Sequence, residues 1–159
     1  MTIIVEDGSI VAGANSYISQ ADLVDFAAAR GVTLTGDTEQ LLIKSMDYIE
    51  GYRAKFKGLK LTSDQPLQWP RSSVYVDNYL LANDVIPAEL INAQAMAAIE
   101  TDTNDLLAST GQAVKSEKVD VIEVVYQDGS ESRNYFTKVQ TYLAPVLKSS
   151  SSVYLGVMR

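Results

Sequence analysis

The chain has 159 residues, 20 acidic against 13 basic side chains, a net charge of −7, and neither cysteine nor histidine. That length holds one domain with a real hydrophobic core and is short for two. The composition excludes disulfides, thiolate metal sites and Cys nucleophiles, removes the commonest general base and metal ligand, and argues against wrapping nucleic acid by overall phosphate neutralisation.

Residues 2–5 form a short β-prone run ahead of an Asp7-Gly8 turn signal. The opening MTIIVEDG lacks the basic start and long apolar middle of a signal peptide, so the chain is expected to stay in the cytoplasm where it is made. No apolar run approaches the roughly 20 residues needed to cross a bilayer. Ser19 is placed to cap a helix over 20–30, in which Leu23, Phe26 and Ala27 share a face and after which Gly31 stops the helix. A second helix is predicted over 37–55, capped by Asp37 or Thr38. Leu42, Met46, Ile49 and Arg53 make one stripe, with Leu41, Tyr48 and Tyr52 beside it.

Residues 57–86 read as a long extended loop, stiffened where Gln65 and Trp69 precede prolines. Loops of that length are uncommon in compact domains and often functional. Within it lies QPLQWPR, residues 65–71, with the only Trp of the chain. Trp69, between Leu67 and Pro70, reads as an anchor that pins the loop onto the helical core. Around it, Arg53, Lys55, Lys57, Lys60 and Arg71 face only Asp64. They make either a solvated basic loop or a patch for an acidic partner surface or a nucleic-acid backbone. Arg71, just outside the anchor, is the residue expected to face a neighbour.

Pro87 and Glu89 suit the first turn of a third helix. Leu90, Ala93, Ala97 and Glu100 fall on one line of it and Ile91, Ala95 and Ala98 on another, an Ala-rich surface that lets another helix approach closely. Glu100, Asp102 and Asp105 read as a solvated helix end. After Gly111, β-branched residues on both sides of Asp128-Gly129 predict a hairpin, and residues 119–126 carry apolar side chains on both faces. Residues 137–147 read as a short helix with Val139, Tyr142, Leu143 and Leu147 at helical spacing, limited by Pro145. Serines 149–152 then lead into the β-prone tail VYLGVMR.

The expected fold class is mainly α (α+β): a core of about three to four helices, a long extended loop, a C-terminal β-hairpin and a terminal docking strand. The expected divisions are a helical core over 1–110, hairpin and short helix over 111–148, and linker with docking strand over 149–159. No Gly-rich phosphate cradle, Walker pattern or metal-ligand spacing is present, and no serine has a base at a telling spacing. No catalytic residue, cofactor or metal is assigned, and the chain is expected not to be an enzyme. Tyr48, Tyr52, Trp69, Tyr75 and Tyr79 lie in or beside the basic segment, and aromatics interleaved with cations stack bases. That keeps a single-stranded-DNA-binding protein of a replication or recombination system as the alternative function, with a general interaction module as a third.

The order ANSYISQADLVDFAAARG, YIEGYRAKFKG, QPLQWPRSSVYVDNYLLANDVIPAELINAQAMAAIE, KSEKVDVIEVVY and VQTYLAP resembles the head–tail connector (adaptor, or head-completion) proteins of tailed bacteriophages. Such sequences are sometimes labelled DnaT-like single-stranded-DNA-binding proteins. The resemblance implies a homo-oligomeric ring, a dodecamer in such families, assembled in the bacterial host cytoplasm and placed in the virion neck beneath the portal protein. The ring would enclose double-stranded DNA without sequence-specific binding, join the next neck or tail-completion protein, and touch no membrane. Under it, Val153, Tyr154, Leu155, Gly156, Val157, Met158 and Arg159 dock to the portal, and Arg53, Lys55, Lys57, Lys60 and Arg71 meet a neighbouring subunit or partner.

Overall fold

The computed structural model describes residues 2–103, 116–119, 122–125 and 136–148. Helix α1 (Gln20–Ala28) starts where the Ser19 side chain accepts the Asp22 amide, and Gly31 follows it at φ +68. Helix α2 (Thr38–Glu50) starts where the Asp37 carboxylate accepts the amides of Glu39 and Gln40. Both caps satisfy orphan N–H groups of a first turn. The second helix was expected to reach residue 55 and stops five residues earlier. Beyond Gly51 the bonds tighten to i→i−3, Tyr52 onto Ile49 and Lys55 onto Tyr52. That turn delivers Phe56, fully buried, to a bridge with Leu147. Burial of a large aromatic outweighs continuation of a helix already weakened by glycine.

The segment 57–86 is not one extended loop. It folds into two antiparallel ladders, β1 (Leu59–Lys60) with β2 (Arg71–Ser72) and β3 (Tyr75–Val76) with β4 (Tyr79–Leu80). Asp77 and Asn78 join β3 to β4 with φ of 49° and 68°, the positive values that a two-residue hairpin turn demands. At the N-terminus the expected strand over 2–5 reduces to a single parallel bridge, Val5 to Ser16.

Helix α3 (Ala88–Thr103) runs through the centre, with Pro87 one residue before it. Its two predicted lines enter two hydrophobic clusters. Leu90, Ala93 and Ala97 join Trp69, Phe56, Ile49 and Tyr17 in one. Ala95 and Ala98 join Leu23, Leu41 and Leu42 of α1 and α2 in the other. A helix covered on both sides needs small residues where neighbours approach closely, and four of its alanines are fully buried. Gln94, equally buried among them, accepts the Tyr17 amide at 2.7 Å and donates to Ser16 Oγ at 2.9 Å, tying α3 to the N-terminal segment. The Asp102 carboxylate accepts the amides of Thr35 and Gly36 at 2.9 and 2.7 Å, so it fastens the α1–α2 connection to α3 and is no idle solvated end. These bonds hold its pKa below the ordinary value.

Strands β5 (Ser116–Val119) and β6 (Ile122–Val125) pair antiparallel with Val119 opposite Ile122. This pairing was not among the expected ones, and the expected turn at Asp128-Gly129 lies outside the described residues together with the rest of 126–135. The register splits the β-prone run 119–126 between two strands. Helix α4 (Thr137–Leu143) passes into a 3-10 turn (Ala144–Val146) at Pro145. Val139, Leu143 and Val146 are fully buried in the cluster around Trp69. The chain is thus a mixed α+β fold with four helices and small antiparallel ladders among the described residues. The serine linker and the terminal strand expected over 149–159 lie outside them.

Candidate nucleic-acid interface

The QPLQWPR stretch is an internal fastening. Gln65, 3% exposed, accepts the amides of Leu61 and Thr62 on its carbonyl oxygen and donates to the carbonyls of Leu67 and Pro70. Leu67, Trp69 and Pro70 are buried, and the Trp69-Pro70 bond is cis. The Trp69 ring meets Phe56 edge to face at 5.9 Å, and its amide donates to the buried Tyr17 hydroxyl. Arg71, expected to face a neighbour, is 6% exposed. Its Nε and Nη2 donate to the Lys57 and Gly58 carbonyls at 2.7 and 2.9 Å, and Nη1 donates to Gln68 O. The turn at 57–58 directs carbonyls inward, and the guanidinium supplies the donors they need. Burial lowers the Arg71 pKa.

Tyr17 donates its hydroxyl proton to Glu50 Oε1 at 3.0 Å. Burial, with the Glu50 charge second, pushes the Tyr17 pKa well up. Burial likewise raises the Glu50 carboxyl above its ordinary value. A carboxyl raised in the fold favours folding below its unfolded pKa, and that contribution is lost as pH rises through the folded pKa. Glu50→Gln keeps the acceptor oxygen and removes the charge. Its stability relative to the parent should therefore rise between the ordinary carboxylate pKa and neutrality, measured by urea unfolding at a series of pH values. A constant difference across that window would show that Glu50 is not held in a raised state.

Outside this fastening lies the basic segment. Arg53 and Lys55 are exposed, while Lys57 and Lys60 are half-buried. Lys60 Nζ donates to Gln65 O at 3.2 Å. Lys57 Nζ donates to Tyr75 O at 3.0 Å and to Pro145 O at 2.7 Å, which joins the segment both to the β3–β4 hairpin and to the turn after α4. The Phe56–Leu147 bridge brings a sixth cation alongside, Lys148, whose Nζ donates to Ala54 O at 3.3 Å. Sequence spacing gives no sign of that approach across 90-odd positions; only the bridge makes it.

Pairing places Tyr75 and Leu80 on one face of the hairpin, 55% and 62% exposed. On the other face Val74, Val76 and Leu81 pack on the core, and Tyr79 at the turn projects past it, 80% exposed. Of the five aromatics proposed to stack bases, the fold buries Trp69 and Tyr48 and leaves Tyr52 half-covered. Tyr75 and Tyr79 alone among the five stand open. The signal for this hairpin was present as YVDNYL, two strand-forming pairs around Asp-Asn.

A family model described as "Putative DnaT-like ssDNA binding protein" matches residues 1–159. The chain belongs to this family. No curated protein and no solved structure matches it. The family match overturns the connector reading of the sequence. With that reading go the virion and neck assignment, the portal, ring and neck-protein partners, and the enclosure of double-stranded DNA. The portal-docking residues named for it, 153–159, lie outside the described residues. The DnaT-like chain keeps its basic segment, now described by its surroundings: exposed Arg53 and Lys55, tethered Lys57 and Lys60, inward Arg71, and Lys148 beside them.

Proposed function

We propose that this DnaT-like chain binds single-stranded DNA, as a binding protein with no catalytic step. Its membership of the family over all 159 residues carries the reading. The geometry supports it: two exposed tyrosines on a hairpin whose base is bonded to Lys57 of the basic segment. Stacking on such rings is sequence-tolerant because every base has a π-face, and cations along the edge take the backbone. The net charge of −7 is no obstacle at this scale. Charges more than about 8 Å away are largely screened at physiological salt, and residues 51–76 carry five cations against Asp64 alone. Asp77 in the turn makes the hairpin tip itself a poor phosphate site, so the strand's backbone runs along Arg53, Lys55 and Lys148 and its bases reach the tyrosines.

Fluorescence anisotropy with a labelled oligothymidylate tests this. Tyr79→Ala and Tyr75→Ala should each weaken binding by about 1–3 kcal/mol, the worth of one stacked base. Both side chains are exposed, so thermal unfolding should stay within about 0.5 kcal/mol of the parent. Full affinity in the double variant would place the strand elsewhere.

A further inference from the structure

A recess of about 500 Å³ opens between the end of α4 and the basic segment, lined by Lys57, Gln140, Ala144, Leu147 and Lys148. On a chain with more acidic than basic residues, its lining among the described residues holds two ammonium groups and no carboxylate. Both cations are held in place before any ligand arrives. Among the described residues, Lys57 Nζ donates to two backbone carbonyls, leaving one N–H for a ligand, and Lys148 Nζ donates to one, leaving two. Gln140 is positioned in the same way. Its Nε2 donates to the hydroxyls of Tyr48, at 3.0 Å, and Tyr52. Gln140 Oε1 has no hydrogen-bond partner among the described residues and can accept one. Side chains fixed in advance lose little freedom when a ligand binds.

We propose that this recess takes one nucleotide of a single strand. The phosphate lies on Lys57 and Lys148, the base rests on Leu147 and Ala144, and an N–H of its pairing edge donates to Gln140 Oε1. The inference rests on the single-strand reading and gives it a physical basis for discrimination. A base paired in a duplex has its edge engaged and cannot enter, whereas an unpaired base splays out and offers it. The recess adjoins the hairpin because Lys57 bonds both Tyr75 O and Pro145 O, so a strand stacked on the tyrosines passes its mouth.

The test is titration of the full chain with dTMP, with thymidine and with inorganic phosphate, followed by amide shifts in two-dimensional NMR. dTMP should shift the amides of Lys57, Ala144 and residues 146–148 and bind more tightly than either part alone. Lys148→Gln should weaken dTMP about tenfold, as loss of a charge-assisted hydrogen bond does. Gln140→Ala should weaken dTMP and leave inorganic phosphate unchanged, which separates nucleotide recognition from simple loss of packing. Inorganic phosphate binding as tightly as dTMP would reduce the recess to a plain anion site and overturn the proposal. So would dTMP shifts that spare Ala144 and residues 146–148. If the oligothymidylate binds while dTMP leaves the recess untouched, only this inference fails. If dTMP binds there and no oligonucleotide does, the single-strand reading fails and the nucleotide site stands.

Discussion

Replacing Trp69 by alanine is expected to cost about 3–5 kcal/mol of folding stability, the loss typical of a large aromatic removed from a close-packed core. The ring is fully buried, lies edge to face with Phe56, and joins side chains from α2, α3 and α4. Its removal opens a cavity at the point where the 65–71 fastening meets the helices. Trp69 Nε1 has no hydrogen-bond partner among the described residues. Trp69→Phe therefore gives up no hydrogen bond seen there and should cost distinctly less than alanine. Urea unfolding checks both variants: the midpoint should fall with an unchanged slope. A loss below about 1 kcal/mol for the alanine variant would mean that the loop is held by Gln65 and Arg71 without its aromatic anchor.

A second large effect is expected at Glu6, a carboxylate 2% exposed. Its Oε1 accepts the amides of Gly8 and Ile10 and its Oε2 that of Val11, each at 2.9 Å. The loop it organises is strained. Ile10 sits at φ 62°, unusual for a β-branched residue. Gly8, at φ 105°, lies so close to the Asp84 carbonyl that a Cβ would stand 1.8 Å from its oxygen. Glu6→Ala strands three N–H groups at once and should cost about 3 kcal/mol or more, since hydrogen bonds to a charged group are worth roughly 1.5–3 kcal/mol each and water recovers part of the loss. Glu6→Gln keeps Oε1 and sets an amide NH₂ against the Val11 N–H, so it should fall between the two. Hydrogen exchange reads the effect locally. Gly8, Ile10 and Val11 should lose protection in the alanine variant well before the α3 amides do. Equal protection in parent and variant would show that the loop does not depend on the carboxylate.

Local chemistry was legible in the sequence. Ser19 and Asp37 cap the helices they precede, because a cap needs only its own next three residues. The two apolar lines of α3 correspond to its two buried faces, because helical period fixes them. Readings that depend on distant partners were not legible. Arg71 looked like a surface cation, and the carbonyls that draw it inward belong to Lys57 and Gly58, more than ten positions earlier. Nothing in the sequence singled out Gln94, whose role is set by Tyr17 and Ser16, far away along the chain. In the segment 57–86 the β1–β2 ladder was hidden because its strands are two residues long and about ten positions apart, whereas the YVDNYL signal of β3–β4 was present and went unread. Lys148 joins the basic segment through the Phe56–Leu147 bridge, and Gln140 through its bonds to Tyr48 and Tyr52, all contacts between positions far apart in the chain. The connector resemblance failed differently: it is overturned by the family match over the whole chain, which no single residue pattern foretold.

Single-strand binding is tested most directly by anisotropy of labelled single-stranded and duplex oligonucleotides with the unmodified chain, across a range of salt. The single strand should bind at low salt, the duplex should bind more weakly, and log affinity should fall linearly with log salt. The slope should be about −0.7 per phosphate contacted, made shallower when Arg53 and Lys55 are both replaced by alanine. No single-strand binding at low salt, or affinity equal for the duplex, would contradict the single-strand reading.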